Sequence, residues 1–253
     1  REVDRGRDRA ILISVTTGAK GEAEESMAEL VELARSAGVE VLAEVIQRRK
    51  HIHPRFILGR GKLVEIMLLS LRLGANLLLF DQELSPSQIR SVTDHTDLRV
   101  IDRTQLILDI FASRARSREG KLQIEMAQLK YMLPKLTTRD DALSRLTGGI
   151  GARGPGETRL EIDKRRINDR ITRLGKELKG VGAQRYHRRN RRRKRDVPVI
   201  SLVGYTNAGK STLLNTLTKS EIQAEDLLFA TLDPTSRLLR FPEDLEVIIT
   251  DTV

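Results

Sequence analysis

Apolar positions along the first hundred residues alternate between two periods. Ala10, Ile11, Leu12, Ile13 and Val15 form a short run rich in β-branched residues, the pattern of a strand covered on both faces. Over residues 22–37, Met27, Leu30, Val31 and Ala34 recur at helical spacing, and Gly38 marks the stop. The pattern then predicts a strand over 39–46, a helix over 62–73 ending at Gly74, and a strand over 76–80. A helix over 85–93 and a fourth strand over 98–101 follow. Strands separated by helices imply βαβ units and a mainly parallel sheet, so residues 1–103 predict a small α/β subdomain.

From residue 104 to residue 195 the period becomes purely helical. Leu122, Met126, Leu129, Leu133 and Leu136 are spaced by three or four residues, and Leu160, Ile167, Ile171, Leu174, Leu178 and Val181 repeat a coiled-coil seam. Two such segments joined by a loop predict a long antiparallel helical hairpin. Its tip, residues 137–157, contains Gly148-Gly149-Ile150-Gly151-Ala152-Arg153-Gly154-Pro155-Gly156-Glu157. Five glycines in ten residues cannot hold a helix, and they let the backbone approach a neighbour closely. A plain flexible linker has the same composition.

Charge changes that picture. The formal net charge is +10, and Arg139, Arg145, Arg153 and Arg159 surround the tip. The second helix runs out into residues 185–195, where eight of eleven are Lys or Arg; Arg188, Arg189, Arg191, Arg192, Arg193, Lys194 and Arg195 are the densest part. A solvated linker reads the same way, yet this density suits phosphate neutralisation by counterion release. With no DNA-reading motif present, RNA is the expected polyanion, contacted by Arg153 and by that basic run. A membrane surface is the weaker option, because the run lacks an apolar face with bulky anchors. No apolar run approaches the ~20 residues of a span, and the charged start of the chain lacks the apolar stretch of a secretory signal. With no cysteine and four scattered histidines, thiolate metal sites are excluded, and the cytosol is the expected compartment, a membrane-peripheral position being the second.

The chemistry follows Pro198. Residues 199–203 read as a strand of the fully buried type, followed by Gly204-Tyr205-Thr206-Asn207-Ala208-Gly209-Lys210-Ser211 and a helix from Thr212. This satisfies G-x-x-x-x-G-K-[ST] in its strand–loop–helix context. Glycines let successive N–H groups curl around phosphates while the helix N-terminus adds a favourable dipole. Lys210 neutralises the β- and γ-phosphates and the Ser211 hydroxyl ligates magnesium. Phe229, Ala230, Thr231 and Leu232 lie in a polar loop before the next strand, where a switch threonine belongs; Thr231 is the expected γ-phosphate and magnesium sensor, with Thr235 second. A strand over 246–250 ends in Asp251, the place of the magnesium-holding acid. Thr252 and Val253 complete the expected nucleotide-contact set, and Lys210 and Thr231 are the expected catalytic pair.

Several of these segments together resemble the HflX family of ribosome-binding GTPases. They are GGIGARGPGE at 148–157 with Thr158-Arg159-Leu160-Glu161, GYTNAGKS at 204–211 and FATLDPT at 229–235, with Phe80-Asp81-Gln82-Glu83-Leu84-Ser85-Pro86 and Val100-Ile101-Asp102-Arg103-Thr104. The resemblance covers nearly the whole chain. It implies a monomeric factor that binds the large ribosomal subunit and its rRNA, helps split or rescue stalled ribosomes, and turns over GTP with Mg2+. It also implies a Ras-like G domain, of which residues 196–253 carry the first half. In related GTPases an Asn at the position of Asn207 can ligate a potassium ion, so K+ is a candidate; a turn-stabilising side chain is the alternative. Asp251-Thr252-Val253 reads as a third G motif cut short, so guanine selectivity is not written in these residues and the chain as it stands is expected to turn over poorly. An RNA-binding module with a silent nucleotide site, or an ATP-dependent remodeller using Gly59-Arg60-Gly61-Lys62, are the competing readings.

Overall fold

A computed structural model describes residues 8–136, 159–193, 198–204, 208–218, 236–240 and 246–251. By its internal contacts the chain divides into two compact units, Arg1–Asp109 with Gln128–Asn168, and Ile110–Ala127 with Asp169–Val253. The first holds a four-stranded sheet built from β1 (Arg9–Thr16), β2 (Glu40–Arg48), β3 (Leu77–Phe80) and β4 (Arg99–Asp102). Strand order is β2-β1-β3-β4, and every pair is parallel. The run at β1 behaves as its composition requires: Ile11, Leu12 and Ile13 are all fully buried, as are all four residues of β3. Burial of such side chains contributes about 1.5–3 kcal/mol each, so the two central strands anchor the sheet. β2 is mostly half-buried or exposed because it is an edge, with Val45 alone buried in the core.

Parallel strands need crossovers, supplied here by α1 (Lys20–Ser36), α2 (Arg60–Leu73) and α3 (Pro86–Thr96). The predicted stop at Gly74 is a left-handed cap with φ 67°, a conformation glycine adopts without a Cβ penalty. Helix α3 starts where Ser85 accepts the Gln88 N–H while the Gln88 side chain accepts the Ser85 N–H, a reciprocal cap with Pro86 at the first helical position. It runs three residues further than the pattern predicts. Val92 and Thr96 are buried on one face, the Thr96 hydroxyl donates to the Val92 carbonyl at 2.9 Å, and Asp97 takes the left-handed cap with φ 55°.

The helical region begins with an element that periodicity merged into its neighbour: α4 (Arg103–Arg114) stands apart from α5 (Arg118–Leu136). The break falls at Ser117, whose hydroxyl accepts the Gly120 N–H at 2.9 Å and so caps α5. After the tip, α6 (Arg159–Arg193) is one continuous 35-residue helix. Glu125 of α5 receives a two-pronged contact from Arg170 of α6, at 2.7 and 2.9 Å, and Arg118 pairs with Glu177 at 3.8 Å. Partners rise along α5 as they fall along α6, the register of an antiparallel hairpin. Leu122, Ile124 and Leu174 are buried there; Ile124 is outside the predicted seam. The Gly-rich tip and Arg153 lie outside the described residues.

One buried carboxylate ties several of these elements together. Asp102 ends β4 with no exposed surface. It accepts the Leu84 N–H at 3.1 Å and the Gln105 N–H at 2.9 Å, the second bond capping α4. From α5, Tyr131 donates its hydroxyl to the same carboxylate and Lys135 Nζ approaches to 3.2 Å while lying over the Tyr131 ring. Burial, reinforced by Asp102, raises the Tyr131 phenol far above its ordinary value, whereas burial lowers Lys135 against the pull of Asp102.

A second sheet carries β5 (Val199–Leu202), β6 (Ser236–Arg240) and β7 (Glu246–Asp251) in the order β5-β7-β6. β7 is parallel to β5 and antiparallel to β6. The helix α7 (Lys210–Thr218) covers one face: Leu214, Val247 and Ile249 form the core there, with Leu202 and Leu239 against them. β5 is not the fully buried strand its composition predicts. Val199 is 55% and Ile200 51% exposed, because β5 is an edge and, among the described residues, only α7 lies on this sheet. No described helix is long and apolar enough to cross a membrane.

Replacing Asp102 by alanine leaves a lysine, a phenol and two backbone N–H groups short of an acceptor, and is expected to lower stability by about 3–5 kcal/mol. Tyr131→Phe, which removes a single donor, should cost about 1–2 kcal/mol. Urea unfolding of the two variants beside the parent checks the order; equal midpoints for all three would show that the carboxylate is not an anchor.

Candidate nucleotide site

β5 ends at Leu202, the chain passes through Val203 and Gly204, and α7 opens at Lys210. Lys210 curls back so that its Nζ donates to the Gly204 carbonyl at 2.8 Å, closing the loop across six residues. Gly209, immediately before the helix, has φ 80°, a region that costs an L-residue about 1–2 kcal/mol. Its carbonyl accepts the Leu213 N–H at 2.9 Å, so the first helical turn is built on that glycine. Further along α7, Thr216 and Thr218 spend their hydroxyls on the Thr212 and Leu214 carbonyls. The loop therefore meets a helix N-terminus with an ammonium on its inner side, a combination that favours an anion.

The sheet register brings a carboxylate-bearing residue to the same end. Val199 pairs with Ile248 and Leu202 with Asp251, so Asp251 stands at the end of β7 directly beside the strand end that feeds the loop. Parallel pairing makes this inevitable, since both strands point the same way. Ser211 follows Lys210 on the first turn of α7 and is half-buried. Among the described residues no cluster of three His, Asp or Glu exists that would cage a metal alone. Magnesium held mainly by phosphate oxygens and water needs only one or two protein oxygens, and the Ser211 hydroxyl on the first turn of α7 is a donor of that kind.

Of the residues expected from sequence, Gly204, Ala208, Gly209, Lys210, Ser211, Thr212 and Asp251 are thus gathered at one end of one sheet. Tyr205, Thr206, Asn207, Phe229, Ala230, Thr231, Leu232, Thr235, Thr252 and Val253 lie outside the described residues, as do Lys194 and Arg195. Arg188, Arg189, Arg191, Arg192 and Arg193 belong to the last turns of α6. The rival stretch at Gly59-Arg60-Gly61-Lys62 forms no phosphate-type loop: Gly59 is an ordinary extended N-cap with φ −69°, and α2 begins at the next residue. Sequence reading missed β6, whose two adjacent leucines between arginines carry no clear period, and the Asp102–Tyr131–Lys135 anchor. That anchor's only trace is the four-residue spacing of Tyr131 and Lys135 on α5.

Three family models tile the chain. Residues 24–112 match the "GTP-binding GTPase N-terminal" family, residues 114–192 the "GTP-binding GTPase Middle Region", and residues 199–253 the "50S ribosome-binding GTPase" family. A protein named GTPase HflX from Caldanaerobacter subterraneus subsp. tengcongensis is 49% identical over 252 residues, covering 100% of this chain and 58% of the relative. The GTPase HflX of Escherichia coli K12 is 49% identical over 229 residues, 90% of this chain and 54% of its own length. The chain belongs to the HflX family. It spans less than two thirds of the length of these HflX relatives. A GTP-binding protein from Sulfolobus solfataricus, solved in complex with GDP, shares the fold at TM-score 0.50 and 24% identity, over 97% of this chain and 60% of that one. A mixed α/β architecture is therefore shared with that GTP-binding protein, and the family match at residues 199–253 marks the P-loop GTPase portion.

Gly209→Ala in the complete protein should weaken GTP binding at least about tenfold, because the left-handed turn that opens α7 becomes strained. Titration with a fluorescent guanine nucleotide checks this, and unchanged affinity would detach the turn from nucleotide binding.

Proposed function

We propose that the complete protein is a GTP-hydrolysing, ribosome-associated factor, with this chain supplying its N-terminal subdomain (1–103), helical hairpin (104–195) and P-loop portion (196–253). The observation that carries the reading is the closed loop between β5 and α7, with Lys210 Nζ on the Gly204 carbonyl beside the end of β7. An ammonium, a helix N-terminus and an aspartate at the neighbouring strand end are the parts phosphoryl transfer uses for positioning and charge stabilisation. The HflX relatives and the ribosome-binding family match at residues 199–253 support GTP as the nucleotide and the ribosome as the partner.

In this reading Lys210 neutralises the β- and γ-phosphates, and Ser211 and Thr231 ligate magnesium with Asp251 behind them. Backbone N–H groups of residues 204–212 cradle phosphate, while Phe229, Ala230 and Leu232 shape the switch loop around Thr231. A potassium ion at Asn207 would add positive charge where the transition state develops it. The hairpin projects its tip, since 20 residues of helix reach roughly 30 Å, and Arg153 with the basic end of α6 contacts rRNA of the large subunit. The factor acts as a cytoplasmic monomer, and splitting or rescue of stalled ribosomes is its task.

Lys210→Ala in the complete protein should abolish GTP turnover, and Thr231→Ala should do nearly the same. Phosphate release measured under multiple turnover checks both. Wild-type hydrolysis by the lysine variant would remove the P-loop assignment, and a silent Thr231→Ala beside an inactive Thr235→Ala would move the sensor to Thr235.

A further inference from the structure

We propose that the β2–α2 connection of the N-terminal subdomain is a second RNA-backbone contact, separate from the hairpin and from the nucleotide site. Its identity as an RNA surface rests on the ribosome-associated reading; its anionic preference rests on the following geometry.

Between residues 45 and 64 there is no Asp or Glu, whereas Arg48, Arg49, Lys50, His51, His53, Arg55, Arg60 and Lys62 fall within fifteen positions. Elsewhere in the subdomain most arginines find carboxylates: Arg9 pairs with Glu40, Arg35 with Glu32, Arg90 with Asp94, Arg99 with Asp8, and Arg103 with Glu29 and Asp81, Arg72 being an exception. In the loop, Arg48, Lys50 and Arg60 are exposed and pair with no carboxylate among the described residues. Buried Arg49 Nη1 has no partner there, and it would sit 3.1 Å from a Cβ added at Gly59, the N-cap of α2. The first turn of α2 contains no acidic residue and no side chain caps its N-terminus, so the helix dipole adds to the same positive potential. Like charges brought this close repel unless an anion lies over them.

The cations are also held in place. Phe56, Ile57 and Leu58 are buried at 1%, 3% and 0% exposure, pinning the middle of the loop to the core. His53 and Ile57 exchange backbone hydrogen bonds at 3.2 and 2.8 Å, and His53 Nδ1 accepts from the Arg55 and Phe56 N–H groups. Ile57 keeps φ 65°, a costly conformation for a β-branched residue that persists only where surrounding packing imposes it. Arg55 lies over the Phe56 ring at 5.1 Å and reaches Ser91 at 3.4 Å. A rigid array of cations around a helix N-terminus matches the repeating charge of a phosphate backbone. With Phe56 turned inward, the loop exposes no Phe, Tyr or Trp ring to stack a base, so charge dominates the contact. A bilayer fits less well, because the loop itself exposes a single large apolar side chain, Ile52.

The test uses the complete protein with Arg48→Gln, Lys50→Gln and Arg60→Gln combined, beside an equal-charge control at Arg35, Arg72 and Arg90. A third variant neutralises Arg188, Arg189 and Arg191. Binding to purified large ribosomal subunits and to a homopolymeric RNA is followed from about 50 to 200 mM salt, with anionic phosphatidylglycerol vesicles as a further probe. The loop variant should bind RNA and subunits at least about tenfold more weakly. Its log–log salt slope should be shallower by about two, at roughly 0.7–0.9 for each phosphate no longer neutralised. The control should stay at wild type, and GTP turnover without ribosomes should be unchanged. A charge-preserving Arg48→Lys/Arg60→Lys variant should retain binding, which separates charge from misfolding. Wild-type binding by the loop variant, with weakening only in the α6 variant, would overturn the inference and leave the ribosome reading standing. Wild-type binding by both would remove that reading as well. Weakened vesicle binding with RNA binding intact would reassign the loop to a membrane surface.

Discussion

The candidate nucleotide site depends on the parallel pairing of β5 with β7. Parallel strands deliver their C-terminal ends to one edge, and the register that sets Leu202 opposite Asp251 brings an acidic position beside the loop leaving β5. An antiparallel pair would have placed these two strand ends at opposite edges. The loop then needs only a left-handed glycine and a lysine that folds back across it, and both are present at Gly209 and Lys210. The antiparallel partner β6 pairs along β7 and lends Leu239 to the small core beneath α7.

The N-terminal subdomain follows the same rule with a different result. At the strand ends of β1 and β3, where the order reverses, Asp81 accepts from Ser14, Ser26 and Gln82 and is paired with Arg103 at 3.1 Å. The crevice that an open α/β sheet offers at such a point is thus filled by the subdomain's own side chains. One strand further, Asp102 performs a mechanical task, joining the loop after β3, the first turn of α4 and the last turns of α5.

How much of this was legible in the sequence depended on whether local pattern decided the outcome. That Ser85 caps α3 and does not belong to it was not readable, but the buried strands β1 and β3, the Gly74 stop and the place of α3 were, since each is written in a few adjacent residues. So was the strand–loop–helix order around Gly204 and Lys210, where chemistry demands particular residue types at fixed spacing. The break at Ser117 was not, because no Gly or Pro marks it and only the Ser117 hydroxyl on the Gly120 N–H caps the new helix. The exposure of β5 was illegible for a different reason: a strand's composition does not state how many of its faces the neighbouring elements cover. Asp102 read as one polar residue after a strand, and only the fold brings Tyr131 and Lys135 to it from some thirty residues away.

The central claim is that the loop between β5 and α7 holds a guanine nucleotide in the complete protein. Calorimetric titration of that protein with GTP, GDP and ATP in magnesium buffer addresses it directly. The account predicts one site per chain that takes GTP and GDP, with ATP failing to compete at hundredfold excess. Equal affinity for ATP and GTP, or no heat with either guanine nucleotide, would contradict it.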